Sequence, residues 1–211
     1  MPKHIKPFDN KNQAIVPEND ALVPLVYFNR VQLKEGESYT AQLANYESVY
    51  VMATGSCDIK VGDQLFKAVG KRMNLWDGKP DSVYVPLNQP VEVVCKTETA
   101  EIYIAGGKID ETFEAFRVQP DDVGTIQYGS DDTKTHRRIQ HVLSPNTQQA
   151  KGRLLVSELF TVGAGGWSGF PPHKHDEDRP PVETRYEEVY LFKFKPEHGF
   201  GAQFCLSLIH I

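Results

Sequence analysis

Apolar and polar positions alternate with a period of two along most of this chain, and no long stretch carries the 3.6-residue period of an amphipathic helix. The runs Leu25 to Leu33, Ser48 to Ala53, Cys57 to Val61, Ser82 to Pro86, Val91 to Cys95 and Glu101 to Ala105 are rich in β-branched and aromatic residues. Such residues pack well on a pleated surface, so each run is predicted to be a strand. Turn chemistry separates them. Gly62-Asp63 has the composition of a two-residue hairpin loop, and Asp77-Gly78 is a second candidate. Short strands at this spacing predict a sandwich or barrel, with residues 25–105 sized for one such unit.

Gly106-Gly107 ends the last of these runs. Residues 106–135 read as a linker or ordered arm, polar and loop-like from Gly124 to Thr135. A second strand-rich unit is predicted to open near His136, with strands over Arg138 to Leu143 and Arg153 to Val162, then a Gly-rich turn at residues 163–169. Both halves follow one plan of strand, Gly turn, alternating strand and further turn. The division expected is therefore 1–135 for an N-terminal unit with its arm and 136–211 for a C-terminal unit. The second unit has fewer strand runs than the first, so an incomplete barrel is expected, with residues 205–211 as a non-native tail.

Composition narrows the function classes. A formal net charge of −5 over 211 residues does not suit a nucleic-acid partner. His136-Arg137-Arg138, the one basic cluster, is too short to follow a phosphate backbone. No apolar run is long enough to span a bilayer, and the N-terminus is polar rather than signal-like. Three cysteines without C-x-x-C spacing fit a reducing cytoplasm, with Cys57 and Cys95 as small buried strand residues.

The chemistry concentrates in Pro171-Pro172-His173-Lys174-His175 and Tyr186-Glu187-Glu188-Val189-Tyr190. In a strand, i and i+2 share a face, so His173 and His175 can aim at one point. The run from Val189 to Phe194 alternates like a strand with one buried face, on which Glu188 lines up with Tyr190, Phe192 and Phe194. A carboxylate in register with three aromatics is costly to bury without a cation. Two imidazoles and that carboxylate make a partial ligand set for a divalent metal. Histidines beside a Pro-rich acidic loop are commonly just solvated, and the aromatic register and Gly-rich approach are what weigh against that here. Glu177 and Glu183 lie in the intervening loop, where charge usually means solvation. Glu187 and Lys174 alternate away from the ligand face. His198 reads as a turn residue, and His136 and His141 as surface residues.

The residues Gly166-Trp167-Ser168, Pro171 to Asp176, Tyr186 to Tyr190, Gly199-Phe200-Gly201 and Arg137 to Leu143 together resemble the bicupin isomerases, the family of the 5-deoxy-glucuronate isomerases of bacterial myo-inositol breakdown. The resemblance runs to about Phe204. It implies an all-β bicupin, two jelly-roll cupin units with the second incomplete and the first metal-free, the segment Tyr46 to Tyr50 standing where the second carries its histidines. It implies a divalent ion (zinc, manganese or iron) on His173, His175 and Glu188, and a fourth histidine from a later strand. His210, the only histidine after His198, lacks that strand's context. The implied reaction converts 5-deoxy-D-glucuronate to 2-deoxy-5-keto-D-gluconate, an aldose–ketose isomerisation through an enediolate. Open metal positions would take the carbonyl and adjacent hydroxyl oxygens. The sequence leaves the general base unidentified. Arg137, Arg138 and Arg185 are candidates to hold the substrate carboxylate. Competing readings are a catalytically silent cupin that binds sugar acids and a cupin dioxygenase. The expected partner is a small sugar acid, with room for a homo-oligomer, and this chain is expected to be a poorer isomerase than a longer version.

Overall fold

The computed structural model describes residues 10–144, 151–169 and 171–204, and over these it is all-β, with one short 3-10 turn at Pro120–Asp122 and no α-helix. Twelve strands form three sheets. A five-stranded antiparallel sheet contains β1 (Val26–Lys34), β3 (Tyr46–Thr54), β6 (Ser82–Val85), β8 (Thr99–Lys108) and β9 (Phe116–Val118), ordered β1-β8-β3-β6-β9. A four-stranded sheet contains β2 (Ser38–Ala41), β4 (Cys57–Val61), β5 (Gln64–Val69) and β7 (Val91–Cys95), ordered β2-β7-β4-β5. A three-stranded sheet is built from β10 (Gly124–Tyr128), β11 (Arg137–Leu143) and β12 (Val156–Thr161).

The first two sheets enclose the main core. Tyr46, Tyr50 and Met52 of β3 and Ile102 and Ile104 of β8 meet Cys57, Ile59, Val69, Val93 and Cys95 of the four-stranded sheet. Cys57 and Cys95 are free, buried and directly opposite each other in register, as small strand residues should be. The intervening residues of β3 and β8 use the other face. Val49, Val51, Tyr103 and Ala105 pack with Val142 and Leu143 of β11 and with Leu154 and Val156. Both faces of β3 are therefore covered, and its first eight residues are all buried. Polar–apolar alternation disappears in such a strand because each face needs apolar groups.

The predicted strands of the first unit are present, with Cys57–Val61 and Val91–Cys95 as expected, β3 and β8 longer, and β1 and β6 different by one residue at their ends. Gly62-Asp63 closes the β4–β5 hairpin, with Gly62 at φ 55° in the first central position, where a side chain would be strained. Asp77-Gly78 instead lies in the long connection between β5 and β6. The expectation of a loop from Gly124 to Thr135 is corrected. Gly124–Tyr128 is strand β10, paired along its whole length with Arg137–His141. All five of its residues are exposed, so it owes its form to backbone pairing with β11 and leaves no apolar mark in the sequence. The strand expected over Arg153 to Val162 is shorter, because residues 153 and 154 are drawn to the first sheet by Glu47.

Candidate metal centre

The expected strands carrying the ligands do not form. Residues 173–175 and 188–194 are in no strand, and among the described residues no strand pairs with them. Tyr190 and Phe192 are 54% and 58% exposed, so the expected burial of this aromatic face is also corrected. The period-two alternation nevertheless survives. Tyr190 donates its hydroxyl to Glu188 Oε2 at 2.8 Å and stacks on Phe192, so residues 188, 190 and 192 share one side. Glu187 points elsewhere and accepts the Leu25 amide at 2.7 Å. Tail residues 205–211, with His210, lie outside the described residues.

His175 and Glu188 come together, with Nε2 of the ring 3.1 Å from Oε2 of the carboxylate. Two donors about 2.1 Å from one ion at tetrahedral or octahedral angles lie about 3.0–3.4 Å apart, so this is ligand spacing. The ring orientation agrees. His175 Nδ1 faces the Tyr186 carbonyl at 3.2 Å, and His173 Nδ1 faces the Pro171 carbonyl at 3.0 Å. A carbonyl only accepts, so each Nδ1 carries the hydrogen, and in its neutral form each ring offers its Nε2 lone pair. A neutral His175 then sets a lone pair against a carboxylate oxygen, a conflict that a proton or a cation between them removes. His173 stands further off, its ring centroid 5.8 Å from that of His175. Two imidazoles on one ion have centroids about 5 Å apart. Among the described residues no three His, Cys, Asp or Glu side chains stand close enough to hold an ion. The donor types fit a divalent ion, and His173 is the donor that must move inward to share it with His175 and Glu188.

Two residues missed in the sequence organise this site. Tyr186 stacks face to face on His175, with ring centroids 3.7 Å apart and planes 9° apart, and donates its amide to the His175 carbonyl at 3.2 Å. Glu183, expected to be solvated, is only 8% exposed. It accepts the amides of Asp176 and Glu177, both at 2.9 Å, as well as Lys174 and Arg179. Arg179 first, then the Glu177 amide, hold its carboxyl far below the usual carboxylate range, against the opposing effect of burial. Its signal in the sequence is only the basic pair Lys174 and Arg179 in the same loop.

The other candidates have structural partners. His136 pairs with Asp131 and His141 with Ser157. The Arg137 and Arg138 guanidinium groups lie over the rings of Tyr128 and Phe160, at 5.8 and 4.7 Å. Arg185 is exposed beside Tyr186.

The family model for KduI/IolB matches residues 3–207. A 5-deoxy-glucuronate isomerase of Geobacillus kaustophilus is 33% identical over 205 residues, covering 96% of this chain and 71% of the relative. One from Listeria monocytogenes is 31% identical over 185 residues, covering 86% of this chain. An IolB-like protein of Salmonella typhimurium, known from its crystal structure, superposes with a TM-score of 0.73 at 30% identity over 82% of this chain. The chain spans 66% of the length of the Listeria relative and 64% of the Salmonella one. With nearly its whole length matched, the chain belongs to the KduI/IolB family.

Proposed function

We propose that this protein is an aldose–ketose isomerase that converts 5-deoxy-D-glucuronate to 2-deoxy-5-keto-D-gluconate in myo-inositol catabolism. In this reading it is a bicupin with an N-terminal unit over residues 1–135 and a C-terminal unit from 136, and the second holds a zinc, manganese or iron ion on His173, His175 and Glu188. The observation that carries it is the 3.1 Å approach of His175 Nε2 to the Glu188 carboxylate in a chain whose relatives are named as this isomerase.

The reaction moves a proton between neighbouring carbons, and its difficulty is the charge of the enediolate between them. When bound, the divalent ion supplies Lewis-acid polarisation of the substrate's carbonyl and neighbouring hydroxyl oxygens. The protein's own groups supply position. Backbone carbonyls at Pro171 and Tyr186 fix the tautomer of both histidines. Tyr186 fixes the plane of His175, and Tyr190 aims Glu188. Tyr190 is about half exposed, and the partial burial of its ring first, then the hydrogen bond to Glu188, pushes its phenol above its ordinary range, so it stays a donor at neutral pH. Arg185 is the residue to hold the substrate carboxylate, because Arg137 and Arg138 are already laid over aromatic rings.

A silent sugar-acid binder draws support from the 5.8 Å separation of the two imidazoles. One experiment decides between the readings. Protein expressed from its own gene is stripped with EDTA, reloaded with manganese, zinc or iron, and given 5-deoxy-D-glucuronate while NMR follows the ketose. Metal-dependent turnover, lost in His175→Ala, is expected. Sugar-acid binding without turnover under any metal would replace the isomerase by the binder.

A further inference from the structure

We propose that Glu183 is a positioning residue for the candidate metal site, its carboxylate closing the loop between His175 and Glu188 and so setting the separation of these two ligands. This role presupposes that His173, His175 and Glu188 are ligands.

The loop after His175 has almost no apolar support. Residues 176–182 are exposed, and the segment belongs to neither hydrophobic cluster. Its order must come from polar bonds, and these converge on one side chain. Glu183 Oε1 accepts the Asp176 and Glu177 amides, both at 2.9 Å, and Lys174 Nζ at 3.1 Å. Oε2 accepts Arg179 Nη2 at 2.8 Å and Lys174 Nζ at 3.0 Å. The two amides belong to the residues immediately after His175, so the backbone leaving that ligand is fastened to residue 183. Backbone bonds between Arg179 and Glu183 close a smaller turn inside the loop, with Arg179 N to Glu183 O at 2.8 Å. The Tyr186 amide then ties the returning arm of the loop to the His175 carbonyl, two residues before Glu188.

Electrostatics make the same demand. Lys174 lies between the two histidines in sequence and would repel a divalent ion if left unpaired. Glu183, with Asp176 at 2.7 Å, neutralises it. A glutamine at 183 keeps the shape and one acceptor. It turns an amide NH2 toward Arg179 or Lys174 and releases their charge beside the site.

The test is a cobalt titration of EDTA-treated protein, read by the visible absorption of the bound ion. Wild type, Glu183→Gln, Arg179→Gln and Glu177→Gln are compared. Glu183→Gln is expected to weaken cobalt binding by about 10–100-fold and to change the band shape, with the thermal midpoint unmoved. Arg179→Gln should give a smaller loss in the same direction. Glu177→Gln, which removes ion pairs to Lys174 and Arg179 but no bond to the amides after His175, should give a smaller loss than Glu183→Gln. Wild-type affinity and spectrum in Glu183→Gln would overturn the role of Glu183 while leaving the metal site standing. A wild type that takes up no cobalt would overturn the metal site and this role together.

Discussion

At the scale of single residues, one buried acid holds the two halves of the described structure together. Glu47 on β3 is fully buried and accepts the Tyr84 hydroxyl at 2.7 Å and the amides of Arg153 and Leu154 at 2.6 and 2.8 Å. Burial first, then this bond, pushes the Tyr84 phenol well up, so it remains the donor. Glu47→Ala strands one buried and two part-buried donors and should cost about 3 kcal/mol in urea unfolding. Gly152 completes the latch, since a methyl group there would overlap the Glu47 carboxylate. Gly152→Ala should therefore destabilise by about 2 kcal/mol, although glycine to alanine usually stabilises a chain. Neither residue was legible as a structural tie. Glu47 sits between strand formers like any outward-facing polar residue, and its partners lie between 37 and 107 residues away. His175 and Glu188 were legible, because i, i+2 histidines and a following carboxylate are a local pattern. Glu183 was not, because a loop carboxylate ordinarily faces water.

At the scale of elements, two charged clusters join separate parts of the chain, one across layers and one within the five-stranded sheet. Arg72, in the β5–β6 connection and nearly buried, forms a two-pronged pair with Glu158 of β12, one prong 2.8 Å long. Arg72→Met removes one partner of a mostly buried pair and should cost about 3 kcal/mol. Hydrogen exchange should show the loss concentrated in β12. Glu101 of β8 is the second cluster. Burial alone would raise its pKa, but hydrogen bonds from Arg30 and Tyr103 and the charge of Lys193 outweigh it, and the pKa falls to about 2. A carboxyl depressed on folding stabilises fully above its unfolded value of 4.5 and loses that contribution as pH falls toward 2. Glu101→Gln should therefore show a shallower loss of stability than wild type between about pH 5 and pH 3, and an equal slope above it. Elements themselves were readable where a strand buries one apolar face. The hairpin at Gly62-Asp63 and the strands Cys57–Val61 and Val91–Cys95 fell where alternation placed them. The strands β2, β5 and β10 escaped notice because they are short or mostly exposed and bury little apolar surface.

At the scale of the whole molecule, three stacked sheets leave β3 and β8 sealed on both faces and the candidate site outside, on segments ordered by polar bonds and ring stacking. Among the described residues no helix is long and apolar enough to cross a membrane. We propose above all that His173, His175 and Glu188 jointly hold one divalent ion. Elemental analysis of purified, dialysed protein measures this most directly, comparing wild type with His173→Ala, His175→Ala and Glu188→Gln. The expected result is about one ion per chain in wild type and at most about a tenth of that retained in each variant. Unchanged metal stoichiometry in both histidine variants would contradict the account.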